Sequence, residues 1–370
     1  VQLILHIGTH KTGTSALQAC LLRNERVLAQ KGIHYARMAP YKNCNVLAKL
    51  IAKTPGAEVK TFVDRQLEKA NKIGANTLVI SAEAFYAMTF FFHKFNSRGH
   101  GDYWDRESAS IEFLHRALGP DPTTRLIVFF RRQDHFLESI YRQLVQSRGL
   151  AMPIDEFKIF AHEALDYWHH MQLWGATFPN FQVYTYDEAA GNICDFFLRN
   201  VLNVTYAEQF EGLDLRLNIR FSRDLLEYKR LLNSLDTSDV DRYMSNLACL
   251  ELARALSDDG RYQDYLAPSD RVALLDEVKA NNALLSGMFG MKPFPIPSDD
   301  SLTSWVPYPG LSKERARELA ERHARIRSRA GYRIERLALI AREHIQQRLP
   351  LLSWMIPLGR SLLPKHRNLQ

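Results

Sequence analysis

Gln2-Leu-Ile-Leu-His-Ile-Gly8-Thr-His-Lys11-Thr-Gly13-Thr-Ser15-Ala-Leu-Gln-Ala-Cys-Leu-Leu22 is the stretch that decides the fold of this 370-residue chain. Gln2 to Ile7 is apolar and rich in β-formers, and reads as a buried strand. Ala16 to Leu22 follows a helical pattern. Between them runs a loop bounded by Gly8 and Gly13. Strand, glycine-bounded loop and helix start together turn backbone N–H groups and the positive end of a helix toward a phosphate.

Working outward, similar β-branched or aromatic runs recur at Gly32 to Tyr35, Thr77 to Ser81, Arg125 to Arg131 and Phe181 to Tyr186, separated by helix-length segments. Strands alternating with helices predict crossover units and a central parallel sheet in a three-layer α/β fold, with ligands at the carboxyl ends of the strands. Leu213 to Phe289 reads as mostly helical, and Lys292-Pro-Phe-Pro-Ile-Pro-Ser298 as a stiff linker. The expected domains are therefore 1–290 and a C-terminal extension, 291–370, in which Leu311 to Arg348 forms one long basic helix or two. Leu349 to Gly359 is apolar but interrupted by prolines.

Composition excludes several classes. With 46% hydrophobic and 24% charged residues the chain is neither disordered nor fibrous. Cys20, Cys44, Cys194 and Cys249 are scattered, without a Cys-x-x-Cys pair or a metal-ligand rhythm. His162-Glu163 and His169-His170 lack the His-Glu-x-x-His spacing of a zinc helix, so no metal site is expected. The chain opens on a strand rather than a leader, and no apolar run reaches the roughly 18 residues of a membrane span. A cytoplasmic protein is expected, although the start at Val1 leaves room for a trimmed signal. From Ser312 onward there are 14 Lys and Arg against 5 Glu, a net +9, which leaves residues 1 to 311 at −2 of the overall +7. A near-neutral body with a basic tail, and with no recognised nucleic-acid module, argues against nucleic acid as a partner.

In the loop, Gly8-Thr-His-Lys-Thr-Gly-Thr14-Ser15 departs from the Walker form of nucleotide hydrolases. Thr14 stands where the Walker lysine would be, and Lys11 comes three residues earlier. The fourth strand ends in Arg131 rather than in an aspartate that could serve a magnesium ion. A lysine at the turn of the loop suits an anion beyond a 5′-phosphate. On these residues, His10-Lys-Thr-Gly-Thr-Ser15 resembles the 5′-phosphosulfate loop of the PAPS-dependent sulfotransferases, especially their bacterial branch, which have a P-loop-NTPase-like fold. PAPS is 3′-phosphoadenosine 5′-phosphosulfate.

The resemblance extends over roughly Gln2 to Gly290 and implies roles for particular residues. Lys11, Thr12, Gly13, Thr14 and Ser15 would bind the phosphosulfate. Arg131 and Ser139, eight residues apart, match the family's strand-end arginine and following-helix serine, which hold the 3′-phosphate. A guanidinium fork and a hydroxyl suit that task chemically. Tyr186, at the end of the fifth run, falls where the family places a tyrosine beside adenine. Glu83, just past the third strand, falls where cytosolic members carry the histidine that serves as base; glycan-modifying members use a glutamate base, often from a different element. A helix-capping role would account for Glu83 equally simply, and His10, His34 and Glu138 are rival bases. Leu266 to Leu285 resembles the closing helix of the bacterial domains, whereas no clear Arg-Lys-Gly clamp like that of cytosolic members is found; Arg216 and Arg220 are unassigned substitutes for it.

The resulting expectation is in-line sulfonate transfer to a hydroxyl or amine, with Glu83 as base, Lys11 and His10 at the reacting centre, 3′-phosphoadenosine 5′-phosphate (PAP) as product, and no required metal. A sugar, a lipid headgroup, a small metabolite or a protein tyrosine could serve as acceptor. A glycan or glycolipid fits a glutamate base and a tail suited to peripheral contact with an anionic inner membrane surface. The alternatives are a P-loop kinase or NTPase, and a non-catalytic protein that docks on membrane or nucleic acid.

Overall fold

The computed structural model describes residues 1–94, 102–119, 123–189, 191–204, 210–212, 220–235, 238–256, 264–295 and 305–348, with side chains in the last stretch to residue 340. By compactness the chain divides into two units that interleave in sequence. The first comprises 1–137, 158–216 and 268–298, and the second 138–157, 217–267 and 299–370.

The first unit is built on five strands: β1 (Gln2–His6), β2 (Ile33–Ala36), β3 (Thr77–Ser81), β4 (Arg125–Phe130) and β5 (Phe181–Thr185). All neighbouring pairs are parallel, in the order β2-β3-β1-β4-β5. This is the P-loop-NTPase-like α/β architecture expected from the sequence, with strand limits within one residue at every end. The alternation of side chains across each strand makes the layers. Ile4, Val79, Ile127 and Phe129 pack with Leu17, Cys20 and Leu21 of helix Thr14–Arg23 and with Ile193, Cys194 and Phe197. Neighbours in sequence point the other way: the Phe130 ring stacks on Tyr167 of helix Tyr167–Thr177 at 4.2 Å, and Tyr86 meets Phe130 edge-on at 5.7 Å. Apolar residues on both phases are what a strand covered on two faces requires.

Register ends β1 level with β3, and β4 level with β5 three residues further on. His6 pairs with Ser81 of β3 and with Ile127 of β4, and Phe130 of β4 pairs with Thr185 of β5. The segments that follow β1, β3, β4 and β5 therefore emerge along one edge of the sheet.

Helix Pro268–Phe289 closes the first unit. Arg271 ion-pairs with the buried Asp134, whose other oxygen accepts from Arg132 Nε at 2.7 Å, and Gln133 bonds Asn282 at 2.7 Å. Burial pushes the Asp134 carboxyl up, but the Arg132 hydrogen bonds and the charges of His135, Arg132 and Arg271 hold it down at about 2.

Among the described residues the second unit is helical. Arg223–Leu235 and Asp239–Ala255 pack with Lys313–Arg327, and Ala330–Arg348 follows, so the basic stretch forms two helices. Leu319 and Ile326 are buried, and Arg336 pairs with Asp241 at 3.2 Å. On the last helix Ile334 and Leu337 are exposed. Residues 296–298 of the expected linker, Arg216 and the apolar run 349–359 lie outside the described residues.

Asp134→Asn is expected to cost about 3–5 kcal/mol in urea unfolding, because it strands two buried guanidinium groups. The Asp134 carboxyl is depressed from 3.8 to about 2, so its contribution to stability is present above about pH 4 and is lost as pH falls through about 2. Urea midpoints measured between pH 5 and pH 2 should show that loss in the wild type and not in the Asn variant.

Candidate active site

The loop between β1 and helix Thr14–Arg23 is stitched to β4. Ile7 N donates to Ile127 O at 3.0 Å, and Thr9 donates twice to Phe129 O, from its amide at 3.3 Å and its hydroxyl at 2.9 Å. Thr12 Oγ1 returns to Thr9 O at 2.7 Å. This pinning supports two left-handed residues, Lys11 at φ 69° and Gly13 at φ 75°. A non-glycine residue there costs of order 1–3 kcal/mol and persists where its surroundings impose it. Here Arg131 Nη1 donates to Lys11 O at 3.2 Å.

Gly13 is constrained twice, by its positive φ and by space. A Cβ there would lie 3.1 Å from Ile193 Cγ2 and 3.5 Å from the Tyr186 ring. Gly13 is also the N-cap of the helix, with no capping side chain and no acid in the first turn. A helix start of that kind presents amides and dipole to an anion. The residues thus fit a phosphate or phosphosulfate group.

Tyr186, expected to end β5, instead opens the short helix Tyr186–Ala189. Its ring packs beside Gly13, and the Arg131 guanidinium lies 5.6 Å from the ring centroid. Lys11, Gly13, Arg131 and Tyr186 therefore meet at one place. Ser139 lies on helix Gln133–Ser147, in the part that belongs to the second unit.

Glu83 opens the turn Glu83–Phe85 directly after β3 and is buried, accepting from Gln18 Nε2 at 2.6 Å. Burial alone would raise its carboxyl; the charge of nearby His10 and hydrogen bonds from Gln18 and Asn45 outweigh burial and leave it below the usual carboxylate range. His10 is buried too, with its ring 4.0 Å from Phe91. Beneath the pair, His6 Nδ1 is 2.9 Å from Ser81 Oγ, and burial pushes the imidazole down to about 4, against the raising effect of Glu83. Gly8 exists for this ring, since a Cβ there would sit 2.6 Å from His6 Nε2.

The two other rival bases lie elsewhere. His34 bonds Gln66 at 3.0 Å near the start of β2, and Glu138 accepts the backbone N–H groups of Tyr265 and Leu266 at 2.8 and 2.9 Å within the second unit. The sequence reading missed Gln18, Asn45 and Lys42. Gln18 interrupts the apolar phase Leu17, Leu21 of its helix, a polar residue where burial is expected. Asn45 and Lys42 carried no comparable sign; Lys42 Nζ donates to Ser15 O at 3.1 Å, and burial lowers its ammonium against the opposing charge of Glu83. Among the described residues no group of three or more metal-ligating side chains occurs, and no helix is long and apolar enough to cross a membrane.

No family model matches the chain, and no curated protein matches it. Among solved structures it is similar to a sulfotransferase from Alicyclobacillus acidocaldarius, at 12% identity and a TM-score of 0.36, over 70% of this chain and 97% of that one. At that identity and score the likeness has no bearing on the site.

Gly13→Ala combines a left-handed Cβ with a contact against Ile193. It is expected to cost about 1–3 kcal/mol in unfolding and to weaken binding of a nucleotide phosphate at least about tenfold by calorimetry.

Proposed function

We propose that the protein transfers the sulfonate of PAPS to a hydroxyl or amine of an acceptor. The observation that carries this reading is the meeting of an uncapped helix start, a left-handed lysine and the strand-end Arg131, with a buried carboxylate one strand away. In a magnesium-dependent P-loop enzyme, an acid would be expected where Arg131 stands.

In this reading the Thr12 to Ser15 amides hold the 5′-phosphate, Lys11 neutralises charge on the sulfonate side, Arg131 addresses the 3′-phosphate, and Tyr186 lies against the nucleoside. PAPS supplies the electrophilic sulfur and leaves as PAP. Glu83, ionised across the neutral range because of His10, Gln18 and Asn45, accepts the acceptor's proton. The pairing with His10 supports a second form of the same mechanism. In that form a neutral His10 takes the proton, and the Glu83 carboxylate favours the imidazolium that results. The acceptor class that best suits a carboxylate at the base position is a glycan or glycolipid hydroxyl.

PAP is expected to bind at least about tenfold more tightly than ATP in calorimetry without magnesium, and Arg131→Ala to abolish that preference. Equal affinities, or an absolute need for magnesium, would favour a kinase instead. Glu83→Gln should lower kcat by about 10² to 10⁴ while PAP affinity stays near wild type. If Glu83→Gln turns over normally and His10→Gln does not, the histidine form is correct.

A further inference from the structure

A second buried carboxylate stands behind the site. Glu107, on helix Tyr103–Leu118, is fully buried, and its oxygens accept backbone N–H groups from Met88 at 3.1 Å and Thr89 at 2.7 Å. Those residues open the helical stretch that continues through Phe90–Lys94 and lies a few residues past Glu83. The first amides of any helix lack internal partners, so Glu107 caps this one from another element. Two residues on, Phe91 packs its ring on His10.

Among the described residues the surroundings of Glu107 offer it no cation. His170 faces it from helix Tyr167–Thr177, its Nδ1 4.0 Å from Oε1, but burial and the charge of His169 push that imidazole down to about 3. His170 Nδ1 closes no hydrogen bond, with the Glu163 carbonyl also nearby, while Nε2 is 3.2 Å from Tyr103 Oη. Tyr86, from the Glu83 side, lies against the His170 ring at 4.4 Å. Both tyrosines are held protonated by burial, with Glu107 and then Glu163 acting on Tyr103, and Asp166 and Glu107 on Tyr86. Helices Asn45–Lys53 and Ala57–Lys72 also pack on Tyr103–Leu118, and none of their charged residues figures among the influences on Glu107. Burial accordingly raises the Glu107 carboxyl to about 7, in spite of the Thr89 and Met88 hydrogen bonds.

We propose that Glu107 is a positioning residue with two states: as a carboxylate it holds both amides and fixes Phe91 against His10, and as a neutral acid it turns its proton toward His170 Nδ1 and releases Met88. In the second state a proton from solvent sits on Oε1, the Met88 N–H···Oε1 bond is lost, and an O–H···Nδ1 bond replaces it, the neutral imidazole keeping its own proton on Nε2 toward Tyr103 Oη. The buried imidazole is the partner that makes the neutral form competitive. The proton-accepting side of the site is then ordered above neutrality and loosened below it. This deepens the reading of the same site, and only the catalytic consequence rests on that reading.

The test begins with the wild-type protein and needs no acceptor. Carbon-13 NMR of the Glu107 carboxyl should titrate with a midpoint near 7; a midpoint near 4.5, the ordinary glutamate value, would overturn the proposal, since the group would then stay charged throughout. Amide hydrogen exchange of the peptide spanning 84–92, corrected for intrinsic rates, should lose about tenfold protection between pH 8 and pH 6. Unchanged protection would also overturn it. Glu107→Gln, which keeps one acceptor and adds a donor, should show low protection at both pH values; if the variant does not fold, the two wild-type measurements still decide. In turnover, Glu107→Gln should lower kcat and flatten its pH dependence near 7, leaving PAP affinity unchanged. Failure of PAP to bind would sink the sulfotransfer reading and leave the exchange result standing.

Discussion

The left-handed turn at Lys11 and Gly13 is the constraint on which the rest of the first unit depends. A loop that reverses this sharply between a strand and a helix cannot be held by its own six-odd residues. It is held by β4, through Thr9 on Phe129 O and Arg131 on Lys11 O. Because β4 lies beside β1 in a parallel sheet, those bonds form at the carboxyl edge, where the helix start of Thr14 points its amides outward. A glycine at position 13 then serves three ends at once: the backbone angle, the close approach of Ile193 and Tyr186, and an N-cap with no side chain to compete with an anion.

Two buried carboxylates flank the 83–94 segment and titrate in opposite directions for one reason. Burial raises both. Glu83 has His10 within electrostatic reach and side-chain donors in Gln18 and Asn45, so its charged form prevails. Glu107 has backbone donors but only a neutral imidazole beside it, so its charged form is scarcely favoured at neutrality. A carboxylate near a reacting centre is useful when it is reliably ionised. One that caps a movable helix is useful when it can change.

How far the site was legible varied with the range of the interaction that defines each part. The five strands could be placed because β-branched runs and their two-phase burial are local properties of a doubly covered parallel sheet. The loop, Arg131 and Glu83 could be found because each follows a strand directly, and parallel register brings strand ends together. Tyr186 was displaced by one residue because a short helix starts where the strand pattern still reads as continuing. Gln18 left a trace, as a polar residue inside an apolar helical phase. Glu107 left none: Tyr103–Leu118 reads as an ordinary amphipathic helix, and the carboxylate acquires meaning only from amides 18 and 19 positions earlier in the chain.

The amino-acid sequence by itself determined the order of elements, the parallel sheet, the anion-facing loop and the candidate residues at the strand ends, since all of these follow from periodicity, glycine placement and short spacing. The tertiary structure alone decided which of those candidates stand together. It placed His10 beside Glu83, tied Arg131 to Lys11 and put Glu138 to work capping Tyr265 and Leu266. It also grouped the helices Arg223–Leu235, Asp239–Ala255, Lys313–Arg327 and Ala330–Arg348 into a second unit that interleaves in sequence with the first. The physical reason is that proton affinity and ligand geometry depend on burial and on partners distant in the chain, which no local pattern encodes.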